Sequence, residues 1–380
     1  MSFSSLGLSA QLVKAAEAQN YAKPYPIQQE AIPAILKGKD IFGIAQTGSG
    51  KTASFVLPML QLLYQSKPLP SRHIKALVLV PTRELAVQVA EVFQDFSKNL
   101  SEKIKALAVF GGVSINPQMM QLQGTDILIA TPGRLLDLIK SNALHLSSLQ
   151  ILVLDEADKM LNLGFKEEIS EILALLPVRR QNLLFSATEG EGVLAIKERL
   201  LTDPLRIEIK PEKQDLDLIR QSAYHVSAEQ KGVLLRYLIK HLEMPQVLVF
   251  VASTHRADHV VVKLKKNGID AAAMHSKKSQ GARTAALINF KAGKLRVLVA
   301  TDLASRGIDI QFLPYVINYE LPRSPTDYVH RIGRTGRAES PGEAISLVSP
   351  EEEHHFKIIQ KKMGKQVPIH ESNALNLQGF

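Results

Sequence analysis

Short apolar runs rich in β-branched residues recur along the first half of the chain, and helical patterns alternate with them. The runs are DIFGIA (40–45), KALVLV (75–80), IKALAVF (104–110), DILIA (126–130), QILVLD (150–155) and NLLFSA (182–187). Strands that are apolar at nearly every position are typical of a sheet that is covered on both faces. The alternation with helical stretches predicts parallel strands joined by crossover helices.

The second half of the chain repeats this rhythm. Its runs are QVLVFV (246–251), RVLVAT (296–301), YVINYE (315–320) and EAISLV (343–348). The polar stretch KPEKQDLDLIRQ (210–221) contains a proline and is typical of a linker. The pattern therefore predicts an α/β fold with two tandem domains, at residues 1–209 and 222–365. Residues 366–380 are expected to form a short, weakly structured tail.

Composition adds a charge asymmetry to this picture. The 380 residues are 45% hydrophobic and 22% charged, which is ordinary for a globular protein. Residues 1–210 contain 22 basic and 20 acidic residues, whereas residues 211–380 contain 24 and 17, so most of the net charge of +9 belongs to the second half. A basic protein suggests a polyanionic partner, usually nucleic acid, although a basic soluble domain has the same charge.

Several classes of protein are disfavoured by what the sequence lacks. The chain contains no cysteine, which excludes disulfides and thiolate metal sites, and its eleven histidines show no metal-ligand spacing. The first residues lack the features of a signal peptide, and no apolar run approaches the roughly 20 residues that cross a bilayer. We therefore expect a cytoplasmic protein with no membrane segment.

The segment AQTGSGKTASF (45–55) follows the first apolar run and precedes a helical stretch. In this context, glycines let backbone N–H groups approach phosphate oxygens, and the helix N-terminus adds its positive dipole end. Lys51 would reach the β- and γ-phosphates, and the hydroxyl of Thr52 would ligate Mg²⁺. The candidate nucleotide-binding residues are Ala45, Gln46, Thr47, Gly48, Ser49, Gly50, Lys51 and Thr52. The first of them is alanine where the usual pattern has glycine, and a simple glycine-rich turn is the alternative interpretation.

A second carboxylate site is predicted in ILVLDEAD (151–158). The apolar run ends at Asp155, which places this carboxylate at the carboxyl edge of the sheet, where ligands bind in such folds. Asp155 can hold Mg²⁺ through water, and Glu156 can orient and deprotonate an attacking water. The alternative is that the two acids only cap the next helix.

Three arginines lie three residues apart in HRIGRTGRAES (330–340), namely Arg331, Arg334 and Arg337. Gly333 and Gly336 lie between them. Guanidinium groups that are close together repel each other unless an anion lies among them. The spacing therefore predicts an anion at this segment.

These segments resemble the motifs of the DEAD-box family of ATP-dependent RNA helicases, and the resemblance covers nearly the whole chain. The motifs follow the family's order: PTRELA (81–86), GG (111–112), TPGR (131–134), DEAD (155–158), SAT (186–188), ATDLASRGIDI (300–310) and HRIGRTGR (330–337). The chain looks nearest to the bacterial RhlE-like subgroup. The resemblance implies two tandem RecA-like domains, each a parallel sheet with helices on both faces. It also implies local unwinding of short RNA duplexes, with ATP and Mg²⁺ as cofactors, by a monomeric core.

The resemblance assigns further roles to residues that match the family's motifs. Adenine recognition is assigned to Phe3, in the stacking position, and to Tyr21, Lys23 and Gln28, and ribose binding to Gly307 and Asp309. RNA-backbone contacts are assigned to Pro81, Thr82, Arg83, Gly111, Gly112, Thr131, Gly133, Arg134 and Thr301. Coupling of ATP state to RNA binding is assigned to Ser186, Thr188, Asp158, His330 and Arg331.

The resemblance also supplies an anion for the arginines, which is the γ-phosphate of ATP. Arg334 and Arg337 are then arginine fingers that arrive when the two domains close. Such a finger contributes about 10³–10⁵ in rate. The alternative is a second-domain arginine cluster that binds only RNA phosphates.

The sequence departs from the family's pattern at a few positions. Asn20 stands where glycine is usual, Tyr25 where threonine is common, and Ser276 where glycine is typical. The segment SATEGEG (186–192) carries two acids where small or apolar residues are frequent. None of these changes touches the predicted phosphate chemistry.

Contacts to RNA should be directed at its backbone, because aromatic residues are not interleaved with the basic motifs apart from three phenylalanines near 93–110. Sequence preference should accordingly be low. For Arg134 the alternative role is an ion pair with Asp137, one helical turn away. Three alternative functions remain open at this stage: a DNA translocase, a non-catalytic RNA clamp, and a metabolic kinase, which fits the phosphate loop but not the basic second half.

Overall fold

The structure is a computed structural model that describes residues 2–46, 48–64, 69–98, 100–101, 103–209, 219–302, 313–336 and 342–380. The chain divides into two compact units, Met1–Pro211 and Glu212–Phe380. Within the described residues, no helix is both long enough and apolar enough to cross a bilayer.

The first unit is a parallel seven-stranded sheet with helices on both faces. Its strands are β1 Ile41–Ile44, β2 Ala76–Leu79, β3 Ala106–Val109, β4 Ile127–Ala130, β5 Ile151–Leu154, β6 Gln181–Ser186 and β7 Leu205–Glu208, in the spatial order β3-β4-β2-β5-β6-β1-β7. Its helices are α1 Ala10–Ala18, α2 Pro26–Leu36, α3 Lys51–Tyr64, α4 Arg83–Ser97, α5 Ile115–Gln121, α6 Pro132–Lys140, α7 Ala157–Asn162, α8 Lys166–Leu175 and α9 Glu191–Leu200. A 3₁₀ helix, Phe3–Leu6, precedes α1.

The described part of the second unit repeats this architecture. Its strands are β8 Ile219–His225, β9 Val247–Val251, β10 Ala271–Met274, β11 Val297–Thr301, β12 Tyr315–Asn318, β13 Gly342–Val348 and β14 Ile369–Glu371, in the order β10-β11-β9-β12-β13-β8-β14. Its helices are α10 Lys231–His241, α11 Thr254–Lys266, α12 Gln280–Lys291, α13 Pro325–Ile332 and α14 Glu353–Met363, with short 3₁₀ helices at Pro350–Glu352 and Ser372–Ala374. The strand pairs are parallel in both sheets, as the alternating pattern predicted.

Each sheet is buried on both faces, which explains why its strands are apolar at consecutive positions. In β2, Val78 packs into one core cluster of the first unit, while Leu77 and Leu79 pack into the other. In β9, Val249 and Phe250 likewise belong to different clusters. Successive side chains of a strand point to opposite faces, so two helix-covered faces require a continuous apolar run.

The expectation of a weakly structured tail at residues 366–380 is wrong. Strand β14 pairs in parallel with β8, and the Ala223 N–H donates a hydrogen bond to the Pro368 carbonyl over 2.8 Å. Leu375 and Leu377 then pack against the core of the second unit. The segment is ordered because it supplies the β8 edge with a partner strand and packs Leu375 and Leu377 against the core.

The predicted linker also ends earlier than expected. Residues 219–221 form the start of β8, where Ile219 and Gln221 are buried. Residues 210–218 lie outside the described part of the chain.

Candidate functional site

The candidate site of the first unit lies at the carboxyl ends of its central strands. The turn after β1 leads into α3, and the turns after β2, β4, β5 and β6 carry the PTRELA, TPGR, DEAD and SAT motifs. In parallel sheets of this type, ligands bind at this edge. The topology therefore brings motifs that lie far apart in sequence to a single edge of the first unit.

The phosphate-binding loop between β1 and α3 has a backbone that requires glycine. Gly48 and Gly50 have φ values of +88° and +86°, in the left-handed region that other residues rarely adopt. A Cβ atom on Gly50 would also lie 2.6 Å from Nε2 of Gln28. Ala45, where the usual pattern has glycine, is buried, and its N–H donates to the Ser186 carbonyl over 3.0 Å. The alanine therefore fits the end of the strand without disturbing the loop.

The cationic and hydroxyl groups of this loop lie at the start of α3. Lys51 is buried, and its ammonium group donates to the Ala45 carbonyl over 2.6 Å. Thr52 is half-buried in the first turn of the helix, and Ser49 Oγ donates to the Gln46 carbonyl over 2.8 Å. Thr47 lies outside the described residues. A buried lysine that donates to a backbone carbonyl can exchange that partner for a phosphate oxygen.

Two buried acids follow β5. The side chain of Asp155 accepts a hydrogen bond from the Glu156 N–H over 2.9 Å, and both residues are almost fully buried. Glu156 adopts a φ of +55°, a left-handed conformation that is uncommon and costly for a residue with a side chain. The turn thus directs both carboxylates to the edge of the sheet that carries Lys51.

Burial is the largest influence on Asp155 and raises the pKa of its carboxyl group to about 6. The ammonium of Lys51 opposes this rise, the carboxylate of Glu156 adds to it, and Lys159 and the Glu156 N–H also oppose it. A carboxylate in this setting is stabilised in its charged form by a nearby cation. This property fits the predicted role of Asp155 beside Mg²⁺.

Among the described residues, only one of the two carboxylate oxygens of Glu156 has a hydrogen-bond partner. Its Oε1 atom accepts a hydrogen bond from the Lys159 ammonium over 2.7 Å, whereas the buried Oε2 atom has no hydrogen-bond partner among the described residues. Buried acceptors without a partner are rare in folded proteins. The free oxygen, the Thr52 hydroxyl and the Asp155 carboxylate form a donor and acceptor set that fits magnesium, a triphosphate and one water. Within the described residues, no cluster of three His, Asp or Glu side chains offers an alternative metal site.

Hydrogen bonds connect the DEAD and SAT motifs within the first unit. Asp158 Oδ2 accepts from Thr188 Oγ1 over 3.1 Å, and Ser186 Oγ donates to the Thr188 carbonyl over 2.7 Å. Ser186 is fully buried at the end of β6. The loop after β6 is therefore positioned by the turn that carries Glu156.

Gln28 is the centre of the hydrogen bonds in the segment that was predicted to recognise adenine. Gln28 is fully buried, its Oε1 accepts from the Tyr25 N–H over 2.9 Å, and its Nε2 donates to the Gly50 carbonyl over 3.0 Å. Lys23 is exposed and Tyr21 is half-buried. Phe3, which was expected to stack on the base, is only 3% exposed and packs edge-on against Tyr21, and its role stays a prediction. Of the two aromatic residues, Tyr21 is the one with exposed surface to offer a base.

The PTRELA and GG motifs meet at a single contact. A Cβ atom on Gly112, whose φ is +74°, would lie between 2.0 and 2.4 Å from the guanidinium atoms of Arg83. Thr82, which was expected to contact RNA, uses its hydroxyl to cap α4, accepting from the Leu85 N–H over 3.3 Å. Pro81 is buried beside it, and Gly111 has open space where a side chain would lie.

Gln118 is a positioning residue that the sequence did not reveal. From α5 its side-chain amide accepts from the Phe110 N–H over 2.9 Å and donates to the Phe110 carbonyl over 3.1 Å. This pair of bonds fixes the strand end immediately before Gly111. The sequence offered little signal, because Gln118 is one of three amide residues in α5, with Asn116 and Gln121.

The TPGR motif forms the start of α6. Thr131 immediately precedes the helix, and its hydroxyl does not cap it. A side chain at Gly133 would lie in open space. Arg134 is buried and donates from Nη2 to the Val113 carbonyl over 2.7 Å. Its Nε lies 3.4 Å from Asp137 Oδ2, so the alternative ion pair is present. The geometry of this ion pair is not that of a hydrogen bond, and among the described residues neither Nε nor Nη1 has a hydrogen-bond partner.

In the second unit, Arg331 is committed to internal contacts. Its guanidinium makes paired hydrogen bonds of 2.6 and 2.7 Å to the Asp302 carboxylate and further bonds to Asn318 Oδ1 and the Glu320 carbonyl. The side chain is 2% exposed and lies over the ring of Phe250. These contacts brace the sheet of the second unit, and the coupling role of Arg331 stays a prediction.

The remaining second-unit candidates are only partly described. Arg334 is half-buried after α13, and its carbonyl accepts from the Leu313 N–H over 3.1 Å. His330 is exposed on α13, and Thr301 lies at the end of β11. Gly307, Asp309 and Arg337 lie outside the described residues.

Family models match both units. The DEAD/DEAH box helicase model matches residues 25–195, and the helicase conserved C-terminal domain model matches residues 230–339. The ATP-dependent RNA helicase CshA of Listeria monocytogenes is 40% identical over 366 residues, which are 96% of this chain and 69% of that relative. The chain belongs to the DEAD-box helicase family. The family indicated by the motifs is thereby confirmed.

A second relative of this DEAD-box chain is the ATP-dependent RNA helicase DeaD of Buchnera aphidicola subsp. Baizongia pistaciae. It is 41% identical over 364 residues, 96% of this chain and 60% of the relative. The DEAD-box chain thus spans about three fifths of the length of this relative. Neither relative tests the RhlE-like subgroup, which stays a prediction.

A solved structure has the same fold as this DEAD-box chain. Saccharomyces cerevisiae Dbp5 bound to RNA and ADP BeF3 is 30% identical, with a TM-score of 0.83, over 97% of this chain and 95% of Dbp5. Together with the two parallel sheets, this similarity confirms the expected tandem RecA-like fold.

Proposed function

We propose that this DEAD-box chain is an ATP-dependent RNA helicase that couples ATP binding and hydrolysis to RNA binding and to local opening of short duplexes. One observation supports the chemistry most directly. Among the described residues, the buried Oε2 atom of Glu156, which follows Asp155 directly, has no hydrogen-bond partner. The relatives named above, which are called ATP-dependent RNA helicases, support the choice of reaction and partner.

Each polar group at this edge has a proposed task. Lys51 leaves the Ala45 carbonyl to neutralise phosphate oxygens, and Thr52 and Asp155 hold Mg²⁺, which supplies charge stabilisation when bound. Glu156 accepts the proton of the attacking water through Oε2, in the manner of a general base. Gln28 connects base recognition to the loop through its bond to Gly50.

RNA recognition is proposed to involve phosphates rather than bases. Arg83, held against Gly112, and Arg134, with two unsatisfied nitrogens, supply the cationic groups of the first unit. Gly133 leaves the amino end of α6 open to an anion. Such contacts position a strand without reading its sequence.

In the second unit we assign Arg334 and Arg337 to the terminal phosphate and Gly307 and Asp309 to the ribose. This assignment rests on the sequence motifs. ATP and single-stranded RNA would each tighten the binding of the other, because both favour the same closed state. A cytoplasmic location belongs to the same proposal, since ATP and RNA are found there.

The test is the rate of phosphate release with and without RNA, followed by strand separation on a short blunt duplex. We expect RNA to stimulate ATP turnover and the duplex to open only when ATP is supplied. Equal stimulation by DNA of the same sequence would favour a DNA translocase instead. Binding of RNA and ATP without phosphate release would favour a non-catalytic clamp, and phosphate transfer to a small acceptor would favour a kinase.

A further inference from the structure

Lys159 directly follows the DEAD motif and lies in the short helix α7, Ala157–Asn162. Its side chain is largely buried and donates a hydrogen bond back to the motif. A lysine is rarely buried unless its charge is paired. The group that pairs with it therefore indicates its role.

The compensating contact of Lys159 is the carboxylate of Glu156. The two side chains form an ion pair of 2.7 Å, and they are only 13% and 5% exposed. The backbone of Glu156 is held at the same time, because its N–H donates to Asp155 and its carbonyl accepts from the Lys159 and Met160 N–H groups. Lys159 therefore completes the fixation of Glu156 by restricting its side chain.

The ion pair gives the two oxygens of the Glu156 carboxylate different surroundings. Oε1 is occupied by the ammonium, and Oε2 is buried without a partner among the described residues. A carboxylate that is free to rotate would present either oxygen in several directions. A carboxylate fixed by Oε1 presents one oxygen in one direction, which is what orientation of a single water requires.

We propose that Lys159 is a positioning residue for ATP hydrolysis, which holds Oε1 of Glu156 so that Oε2 faces the attacking water. This inference rests on the proposed function of Glu156 and adds a residue outside the DEAD motif. Lys159 pairs with Glu156 rather than with a residue assigned to the nucleotide. Its charge also favours the ionised form of Asp155, but Lys51 does so more strongly. We therefore expect the effect of Lys159 mainly in turnover and only weakly in nucleotide binding.

The kinetic test compares Lys159→Met, which removes the charge and keeps the length, with Lys159→Arg, which keeps the charge. The control is Lys166→Met, at an exposed lysine in the first turn of α8. With saturating RNA and Mg²⁺, Lys159→Met should lower kcat by about 10- to 100-fold, because small misplacement of a reacting group costs this much. KM for ATP should stay within about twofold, Lys159→Arg should recover most of the loss, and Lys166→Met should match wild type.

The structural test does not depend on activity. Crystal structures of wild type and Lys159→Met, without nucleotide, should show that the Glu156 carboxylate leaves its position or occupies several rotamers in the variant. An unchanged carboxylate in Lys159→Met overturns the inference, as does a kcat within twofold of wild type. A wild-type protein without RNA-stimulated ATPase would refute the proposed function, and the crystal structures would still decide whether Lys159 positions Glu156.

Discussion

The side-chain amide of Gln28 donates a hydrogen bond to the Gly50 carbonyl over 3.0 Å and occupies the space that a Gly50 side chain would need. Gln28 lies in α2, while Gly50 ends the phosphate-binding loop immediately before α3. The segment assigned to the base and the loop assigned to the phosphates are therefore one connected structure. A disturbance at either residue should affect the other.

Gly50→Ala should weaken nucleotide binding by on the order of tenfold or more. The added methyl group would lie 2.6 Å from Gln28 Nε2, and the left-handed backbone alone costs about 1–2 kcal/mol. Titration with a fluorescent ADP measures the effect. Gly38→Ala is the matched control, because Gly38 has a φ of +77° but nothing within 4 Å of the new methyl group. Equal affinities of the two variants would show that the Gln28 contact does not matter.

Gly112→Ala should weaken RNA binding by on the order of tenfold while leaving nucleotide affinity unchanged. The methyl group would take the place of the Arg83 guanidinium, which must then move away from its position beside the GG motif. Fluorescence anisotropy with a labelled single strand, at one fixed salt concentration, measures the affinity. Gly124→Ala shares the positive φ without a neighbour and serves as the control. Wild-type RNA affinity in Gly112→Ala would separate Arg83 from RNA binding.

Glu156→Gln should retain ATP and RNA binding and lose turnover by about 10²-fold or more, because an amide cannot accept the proton of the attacking water. The amide keeps the shape of the side chain and can still accept from Lys159, so the fold should be unchanged. Phosphate release and equilibrium binding are measured on the same preparation. Turnover near the wild-type rate would exclude Glu156 as the base.

Arg334→Ala should abolish RNA-stimulated ATPase, with a loss of about 10³–10⁵ in rate if Arg334 stabilises the transition state. Nucleotide affinity should change little, since the phosphate-binding loop is intact. Arg220→Ala, at an exposed arginine of β8, controls for the loss of a positive charge from the second unit. A large fall in nucleotide affinity in Arg334→Ala would contradict the finger role.

Glu352→Gln should destabilise the second unit by about 2–3 kcal/mol at neutral pH, because it leaves the buried ammonium of Lys231 without its carboxylate. Burial of Glu352 would raise its pKa, but the hydrogen bond and charge of Lys231, with the Ser349 and Leu321 N–H groups, outweigh it and lower the pKa. A lowered pKa in the folded state means that the ion pair stabilises the fold above the ordinary glutamate pKa. This contribution is lost as the pH falls through the lowered value.

The difference in unfolding free energy between wild type and Glu352→Gln should therefore have its largest value at pH 7 and decrease below about pH 4. Urea unfolding at several pH values measures it. Glu229→Gln, at an exposed glutamate, should show neither the loss nor its pH dependence. A difference that persists in acid would rule out the ion pair as its cause.

The strands that the sequence predicted are those that are buried on both faces and are therefore apolar at consecutive positions. Strand β5, which ends just before Asp155, is an example. Strand β10 was missed because its sequence, Ala-Ala-Ala-Met, lacks the β-branched residues that mark a strand. Edge strand β7 was missed because two of its four residues are polar and exposed. Strand β14 was missed because its stability comes from pairing with β8, which is about 145 residues away and leaves no local signal.

Side-chain geometry in the candidate site was less accessible to sequence reasoning. The motifs identified Glu156 and Arg83 by type and order, but the contacts of Glu156 with Lys159 and of Arg83 with Gly112 depend on how the turns fold. The same limit applies to Phe3 and Arg331. Each matches a motif position, but its burial within its own unit could not be read from the sequence.

The pairing of β14 with β8 has a consequence for shortened versions of the chain. A protein that ended near residue 365 would leave residues 223–225 paired with β13 on one edge and unpaired on the other, and it would uncover the apolar surface beneath Leu375 and Leu377. An unprotected strand edge of this kind is a template for pairing with a second molecule. Such a trimmed protein should self-associate and precipitate, although every motif residue would still be in its sequence.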